Sequence, residues 1–185
     1  MSEIMRRLDS LRELIQSKEF LDGKGLSNEV NIRIFCYDAK DEMTVRHFTD
    51  RLVTNQSLDC HLIEYNLYQV FLSICDSKRI TDKIAEQEKK RGKAFILEQL
   101  QRLASNDAFV QKMTYEPHKS GDVILITGVG AAFPFIRIHT LLDAMQPRFS
   151  DVPVLVMYPG TFNGHYVRLF DKLTPNPYYR AFNVM

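Results

Sequence analysis

GDVILITGVG at residues 121–130 is followed by FPFIRIHTLL at residues 133–142 and VPVLVMYPG at residues 152–160. The first and third segments are apolar runs that end in glycine, and the segment between them is amphipathic. This order is typical of a parallel β-α-β unit. Because residues 122–127 are almost continuously apolar, we expect a central strand that helices cover on both faces.

The segments that precede this unit extend the α/β pattern. Apolar spacing predicts an amphipathic helix at residues 2–20, stopped at residues 22–25, and two or three helices within residues 67–113. A strand, helix and strand are predicted at residues 31–38, 43–53 and 60–65, and one or two further strands near the C-terminus. We therefore predict a single α/β domain over residues 1–185. It should be a three-layer sandwich with a mostly parallel, P-loop-like or Rossmann-like sheet of about five strands.

Composition limits the classes of function. The formal net charge is +1 and 45% of residues are hydrophobic, so one substantial core is expected and no overall field would attract DNA or an anionic membrane. Neither a signal-peptide core nor an apolar run of about 20 residues is present, which predicts a cytoplasmic protein. Cys36, Cys60 and Cys75 are isolated and no ligand spacing is found, so we expect free thiols, no metal and no cofactor.

The glycines at the ends of the apolar runs lie where open α/β sheets bind ligands. Gly128 and Gly130 could present backbone N–H groups to an anion, or could simply permit a tight turn, and Gly160 ends the next run. The Walker A pattern occurs nowhere, and Phe133 and Pro134 follow where a third glycine or a lysine would be needed. A working phosphate-binding loop is therefore not supported.

Other polar and aromatic residues form no catalytic constellation. Arg137 and His139 are about 200 degrees apart on the predicted helix, so helical geometry alone would not bring them into one site. Tyr178, Tyr179 and Arg180 combine residue types that are common at protein interfaces, although one ring could equally belong to the core. The candidates for binding a partner or an anion are thus Gly128, Gly130, Arg137, His139, Gly160, Arg168, Tyr178, Tyr179 and Arg180.

The same C-terminal residues carry a family resemblance. Gly128-Val129-Gly130, the segments 133–142 and 158–160, the segment 168–173 and Tyr178 to Phe182 resemble the BrxB family of bacteriophage-exclusion (BREX) systems in order and spacing. The resemblance runs from about residue 120 to the end, and it is weaker before that. One departure is Thr161-Phe162-Asn163, where the family is expected to carry an acidic residue.

The resemblance implies a component of a bacterial anti-phage system that recognises self by host DNA methylation. Its expected partners are a PglZ-type phosphatase-fold protein, a large ATPase and a methyltransferase, whereas direct DNA contact stays open. We expect a non-catalytic adaptor that docks on such a partner through the ligand-edge loops and residues 178–180. The alternatives are a degenerate nucleotide-binding domain and, third, a hydrolase or nuclease, for which clustered carboxylates or histidines are lacking.

Overall fold

The computed structural model describes residues 2–22, 31–178 and 180–184. Short 3-10 turns lie at Ala39–Asp41 and Thr81–Lys83. The other elements follow in chain order: α1 (Glu3–Leu14), α2 (Lys18–Asp22), β1 (Ile32–Tyr37), α3 (Glu42–Thr54), β2 (His61–Asn66), α4 (Leu67–Ser77), α5 (Ile84–Arg91), α6 (Lys93–Leu103), α7 (Asn106–Met113), β3 (Asp122–Thr127), α8 (Val129–Ala132), α9 (Ile138–Met145), β4 (Val154–Phe162), β5 (Tyr166–Leu169), β6 (Asn176–Pro177) and β7 (Phe182–Val184).

Five parallel strands form the main sheet in the order β2-β3-β4-β1-β7. β3 and β4 are neighbours, with Ile124 opposite Val154, and α8 and α9 connect them. The predicted β-α-β unit is therefore confirmed. β5 and β6 add an antiparallel extension to β4, so the sheet formed by the described residues has seven strands and is mostly parallel.

Helices cover both faces of this sheet, because alternate residues of each strand point to opposite sides. Ile34 of β1 and Ile124 of β3 pack in a core with α4, α7 and α9, whereas the adjacent Phe35 and Val123 pack in a second core with α1 and α3. Every residue of β3 is buried. These two cores confirm the predicted three-layer α/β sandwich.

β3 lies between β2 and β4 inside the parallel sheet and is buried throughout, so the prediction of a central strand at residues 122–127 is confirmed. The predicted strand, helix and strand at residues 31–65 are present as β1, α3 and β2, and β3 and β4 lie between β1 and β2 in the sheet. The long insertion of residues 67–121 brings β3 beside β2. In the described residues after β4 there are three short strands, where one or two were predicted, and β7 pairs with β1.

Helix boundaries follow capping side chains that apolar spacing does not reveal. The predicted helix at residues 2–20 is two helices, and Ser17 Oγ accepts a hydrogen bond from Phe20 N (3.2 Å) where the second begins. Four α-helices, not two or three, occupy residues 67–113, and Asn66 and Ser105 cap two of them. The predicted stop after Asp22 falls on residues 23–25, outside the described ranges.

Candidate functional site

The carboxyl edge of the sheet contains a polar cleft of about 170 Å³. Parallel strands end at one edge, and Tyr37, Asn66 and Thr127, the last residues of β1, β2 and β3, line this cleft. Side chains of α3 close its other side, Glu42 and Arg46 among them. The cleft therefore occupies the position where open α/β sheets bind ligands.

Hydrogen bonds within the cleft engage most of its polar groups. The Tyr37 hydroxyl donates to Glu42 Oε2 (2.6 Å), and Arg46 Nη2 donates to Glu42 Oε1 (3.0 Å). Thr127 Oγ1 donates to Glu64 Oε1 (2.6 Å). Burial, followed by the hydrogen bond to Glu42, raises the pKa of Tyr37, so its phenol stays protonated and donates.

The charge of this cleft does not suit a phosphate. Among the described residues, its lining carries the carboxylates of Glu42, Asp50 and Glu64 and one guanidinium, that of Arg46. Arg46 is already paired with Glu42. An incoming polyphosphate would meet uncompensated negative charge, which opposes binding at short range. The lining thus argues against the nucleotide-binding alternative.

Gly128 provides space for the cap of α4. Its backbone is left-handed (φ 68°), and a Cβ atom added there would lie 2.5 Å from Asn66 Oδ1. That oxygen accepts hydrogen bonds from the backbone N–H groups of Tyr68 (3.1 Å) and Gln69 (3.3 Å). Glycine is required at this turn by both the dihedral and the close approach of Asn66. No anion is needed to explain it.

Gly130 and Gly160 are also positions of close approach. A Cβ on Gly130 would lie 2.9 Å from Phe170 Cε1, and one on Gly160 would lie 2.1 Å from the carbonyl oxygen of Arg168. Phe170 follows β5, and Arg168 pairs across from Thr161 in the β4–β5 hairpin. These two glycines therefore let the hairpin pack tightly against α8 and close upon itself.

Arg137 and His139 border one small crevice of about 20 Å³, together with Tyr158. The predicted 200-degree separation does not apply, because α9 begins at Ile138 and Arg137 is its extended N-cap residue. The Arg137 guanidinium lies 4.8 Å from the centre of the Phe133 ring. Burial, reinforced by the charge of Arg137, lowers the pKa of His139 and favours its neutral form. A crevice of this size holds about one water molecule.

The predicted aromatic-arginine segment is mostly engaged within the fold. Tyr178 is buried in the core, and its N–H donates to the carbonyl of His165 (2.7 Å). Arg180 Nη1 donates to Gln146 Oε1 (2.8 Å) and lies 3.9 Å from Asp143 Oδ1. Tyr179 lies outside the described residues.

An exposed aromatic-arginine pair occurs instead on β5. Tyr166 is 51% exposed and Arg168 is exposed, whereas the intervening Val167 is buried. Together with three neighbours they line a surface depression of about 410 Å³, and we call this set the hairpin face: Tyr166, Arg168, Thr161, Asn163 and Pro175. Sequence reasoning selected Arg168 but missed Tyr166. The alternation in Tyr166-Val167-Arg168-Leu169 was the available signal.

The amino edge of the sheet holds a buried carboxylate. Asp122, the first residue of β3, is 3% exposed and accepts hydrogen bonds from Tyr115 Oη (2.9 Å) and Lys119 N (2.9 Å). Its other oxygen lies 3.0 Å from His61 Nδ1. Burial alone would raise the pKa of Asp122, but the hydrogen bonds from Lys119, His61 and Tyr115 lower it overall. The carboxylate thus joins β3 to β2 and to the segment before β3.

The described ranges contain neither a cluster of metal-ligand side chains nor a helix that could span a membrane. No group of three or more His, Cys, Asp or Glu residues is arranged to hold a metal ion within residues 2–22, 31–178 and 180–184. No helix in this described part of the chain has both the length and the apolar character needed to cross a membrane.

Comparison with known proteins identifies the family. The model of the family described as "BREX protein BrxB" matches residues 63–184. The chain is 36% identical to a BREX protein BrxB of Bacillus cereus (strain H3081.97), over 100% of this chain and 99% of that protein. It is 27% identical to a BREX protein BrxB of Escherichia coli O9:H4 (strain HS), over 97% of this chain and 90% of that protein. No solved structure matches significantly. The chain therefore belongs to the BrxB family and is a component of a BREX system.

Proposed function

We propose that this protein is a non-catalytic adaptor of its BREX system. It docks on a partner such as the PglZ-type protein and so supports host DNA methylation and phage restriction. The hairpin face carries the proposal, because Tyr166 and Arg168 stand exposed side by side on a paired strand. Tyrosine and arginine are enriched among residues that dominate binding energy at protein interfaces.

The strand pairing and hydrogen bonds that hold the hairpin face in place favour docking. β5 pairs with both β4 and β6, and Phe170 N donates to the carbonyl of Pro159 (2.8 Å), which fixes the hairpin at the carboxyl edge. A rigid strand loses little conformational entropy on association, so more of the contact energy remains as affinity. The carboxyl-edge cleft offers a phosphate three carboxylates, those of Glu42, Asp50 and Glu64, and an arginine that is already paired with Glu42.

Co-purification tests the proposal. The tagged chain would be expressed with the PglZ-type protein, the ATPase and the methyltransferase of its system, and captured proteins would be quantified. We expect the double variant Tyr166→Ala/Arg168→Ala to lose about tenfold or more in capture of one component, in line with hot-spot energies of about 2 kcal/mol. Phage restriction and host methylation should decline with it.

A matched control is Arg51→Ala, because Arg51 is an exposed arginine on α3, outside the hairpin face. This variant should retain full capture. The adaptor proposal is refuted if the unaltered chain associates with no BREX component. Docking through the hairpin face is refuted if the double variant captures as much as Arg51→Ala does.

A further inference from the structure

An apolar groove of about 370 Å³ lies between α5 and α6, away from the hairpin face and the carboxyl-edge cleft. It shares no lining residue with either of them. Its floor consists of six large apolar side chains: Ile80, Ile84, Phe95, Ile96, Leu100 and Leu103. Surfaces of this kind are usually covered by another apolar element.

The helices that form this groove are only partly integrated into the core. α5 contributes no buried residue, and Leu100 is the buried residue of α6. Phe95, at the start of α6, is 37% exposed, and its ring lies 5.0 Å from the Arg91 guanidinium carbon. The groove is therefore an open apolar surface in the described structure, not a closed cavity.

The chain segment that forms one side of this groove is rich in basic residues, and two of them line it. Residues 78–93 contain seven basic and three acidic residues, although the whole chain has a formal net charge of +1. All seven basic side chains are exposed: Lys78, Arg79, Lys83, Lys89, Lys90, Arg91 and Lys93. Lys83 and Arg91 line the groove itself, and none of the acidic residues that the structure describes does. A complementary partner would carry carboxylates beside an apolar face.

We infer that this groove binds an amphipathic helix of a protein partner, with its apolar face on the floor and its acidic residues against Lys83 and Arg91. From Ile96 to Leu103 the α6 side of the groove is about 10 Å long at 1.5 Å per residue. That length accommodates apolar anchors at positions i, i+4 and i+7 of a bound helix. A nucleic acid would leave the six apolar side chains uncovered, so a protein helix fits this chemistry better.

This docking surface goes beyond the hairpin face and does not depend on it. An adaptor with two separate surfaces can bind two partners at once, one on each surface. The α5–α6 groove can bind an acidic helix even if the hairpin face binds nothing, and the two surfaces can be tested with separate variants.

Peptide binding to the full chain tests the inference. The probe is a fluorescein-labelled, designed helical peptide with leucines at i, i+4 and i+7 and glutamates on its remaining face, and a matched peptide carries lysines in place of the glutamates. Fluorescence anisotropy should show at least tenfold tighter binding of the acidic peptide. Lys83→Glu/Arg91→Glu should weaken that binding at least tenfold and strengthen binding of the lysine peptide, because both charges are exposed and line the groove.

Two further variants separate the apolar floor from general charge effects. Phe95→Ser should weaken both peptides, because it removes part of the floor, whereas Arg51→Glu on α3 should weaken neither. Equal binding of the two peptides, or no binding of the acidic one, would overturn the inference. Displacement of the acidic peptide by a 20-base-pair DNA duplex at equal concentration would also overturn it and would assign the surface to nucleic acid.

Discussion

Replacing Gly160 with alanine should destabilise the β4–β5 hairpin. A Cβ atom at this position would lie 2.1 Å from the carbonyl oxygen of Arg168 and 3.0 Å from Phe170 N. Both obstacles are backbone atoms, so no side-chain rotation can relieve the contact. The two strands must separate by about 1 Å to restore an ordinary van der Waals distance.

The cost of that separation follows from the bonds it disturbs. Residues 160 and 169 are paired partners, and Phe170 N donates to the carbonyl of Pro159 at 2.8 Å. Overpacking costs about 1–3 kcal/mol, and each backbone hydrogen bond contributes about 1 kcal/mol. We therefore expect Gly160→Ala to lower the free energy of unfolding by about 2–4 kcal/mol.

Urea unfolding followed by circular dichroism measures this loss, since the chain contains no tryptophan for fluorescence. Gly164→Ala is the matched control, because Gly164 has φ 89° but a Cβ there meets nothing within 4 Å. Its cost should be only the left-handed strain of about 1–2 kcal/mol. If Gly160→Ala is no more destabilising than Gly164→Ala, the close contact with Arg168 does not control the hairpin.

Three further perturbations test other parts of the structure. Asp122→Asn should lower the free energy of unfolding by about 1–3 kcal/mol at pH 7. The folded pKa of Asp122 is lowered, so its carboxylate stabilises the fold above the unfolded pKa of about 3.9 and loses this effect as pH falls through the folded pKa. If the difference in unfolding free energy between Asp122→Asn and the unaltered chain does not change with pH, this reasoning is refuted. The control is Asp151→Asn, at an exposed aspartate. Gly128→Ala should lower the free energy of unfolding by about 2–3 kcal/mol, and adding Asn66→Gly should recover part of that loss, because it removes the side chain that the new Cβ would meet. If the effects of the two substitutions simply add, the two residues are not in contact. ATP at 1 mM should leave the unfolding midpoint unchanged. A site with a Kd of about 0.1 mM would raise the free energy of unfolding by about 1.4 kcal/mol, and such an increase would support the nucleotide-binding alternative.

The fold was predictable where local pattern and tertiary position agree. β3 was predicted at residues 122–127 and observed there, because a strand covered on both faces must be apolar at every position. The position of β3 in the sheet was not predictable in the same way. Strand order depends on which edges the helices leave available, and the long insertion before Asp122 places β3 beside β2.

The candidate binding residues were likewise predictable only in part from the sequence. Side-chain type alone selected Tyr178, but its ring is buried in the core, whereas the exposed ring of Tyr166 lies on β5. Alternation along β5 could have separated the two, since Tyr166 and Arg168 share the outward face. The glycine contacts could not have been predicted, because Asn66 and Phe170 are distant in sequence from the glycines that they approach.

The carboxyl edge has the topology of a nucleotide site, but the chain fills it with its own side chains. The amide of Asn66 occupies the space above Gly128, and the Phe170 ring packs against Gly130, where an anion would need access to the backbone. The helix that follows, α8, is only four residues long and carries little dipole to compensate. Of the two glycines that resemble a phosphate turn, Gly128 makes room for Asn66, and Gly130 lets the Phe170 ring pack against α8. The contact at Gly130 supports the hairpin that carries Tyr166 and Arg168. A substitution at Gly130 should therefore disturb the hairpin face before it affects any ligand, which links the two features that the sequence presented separately.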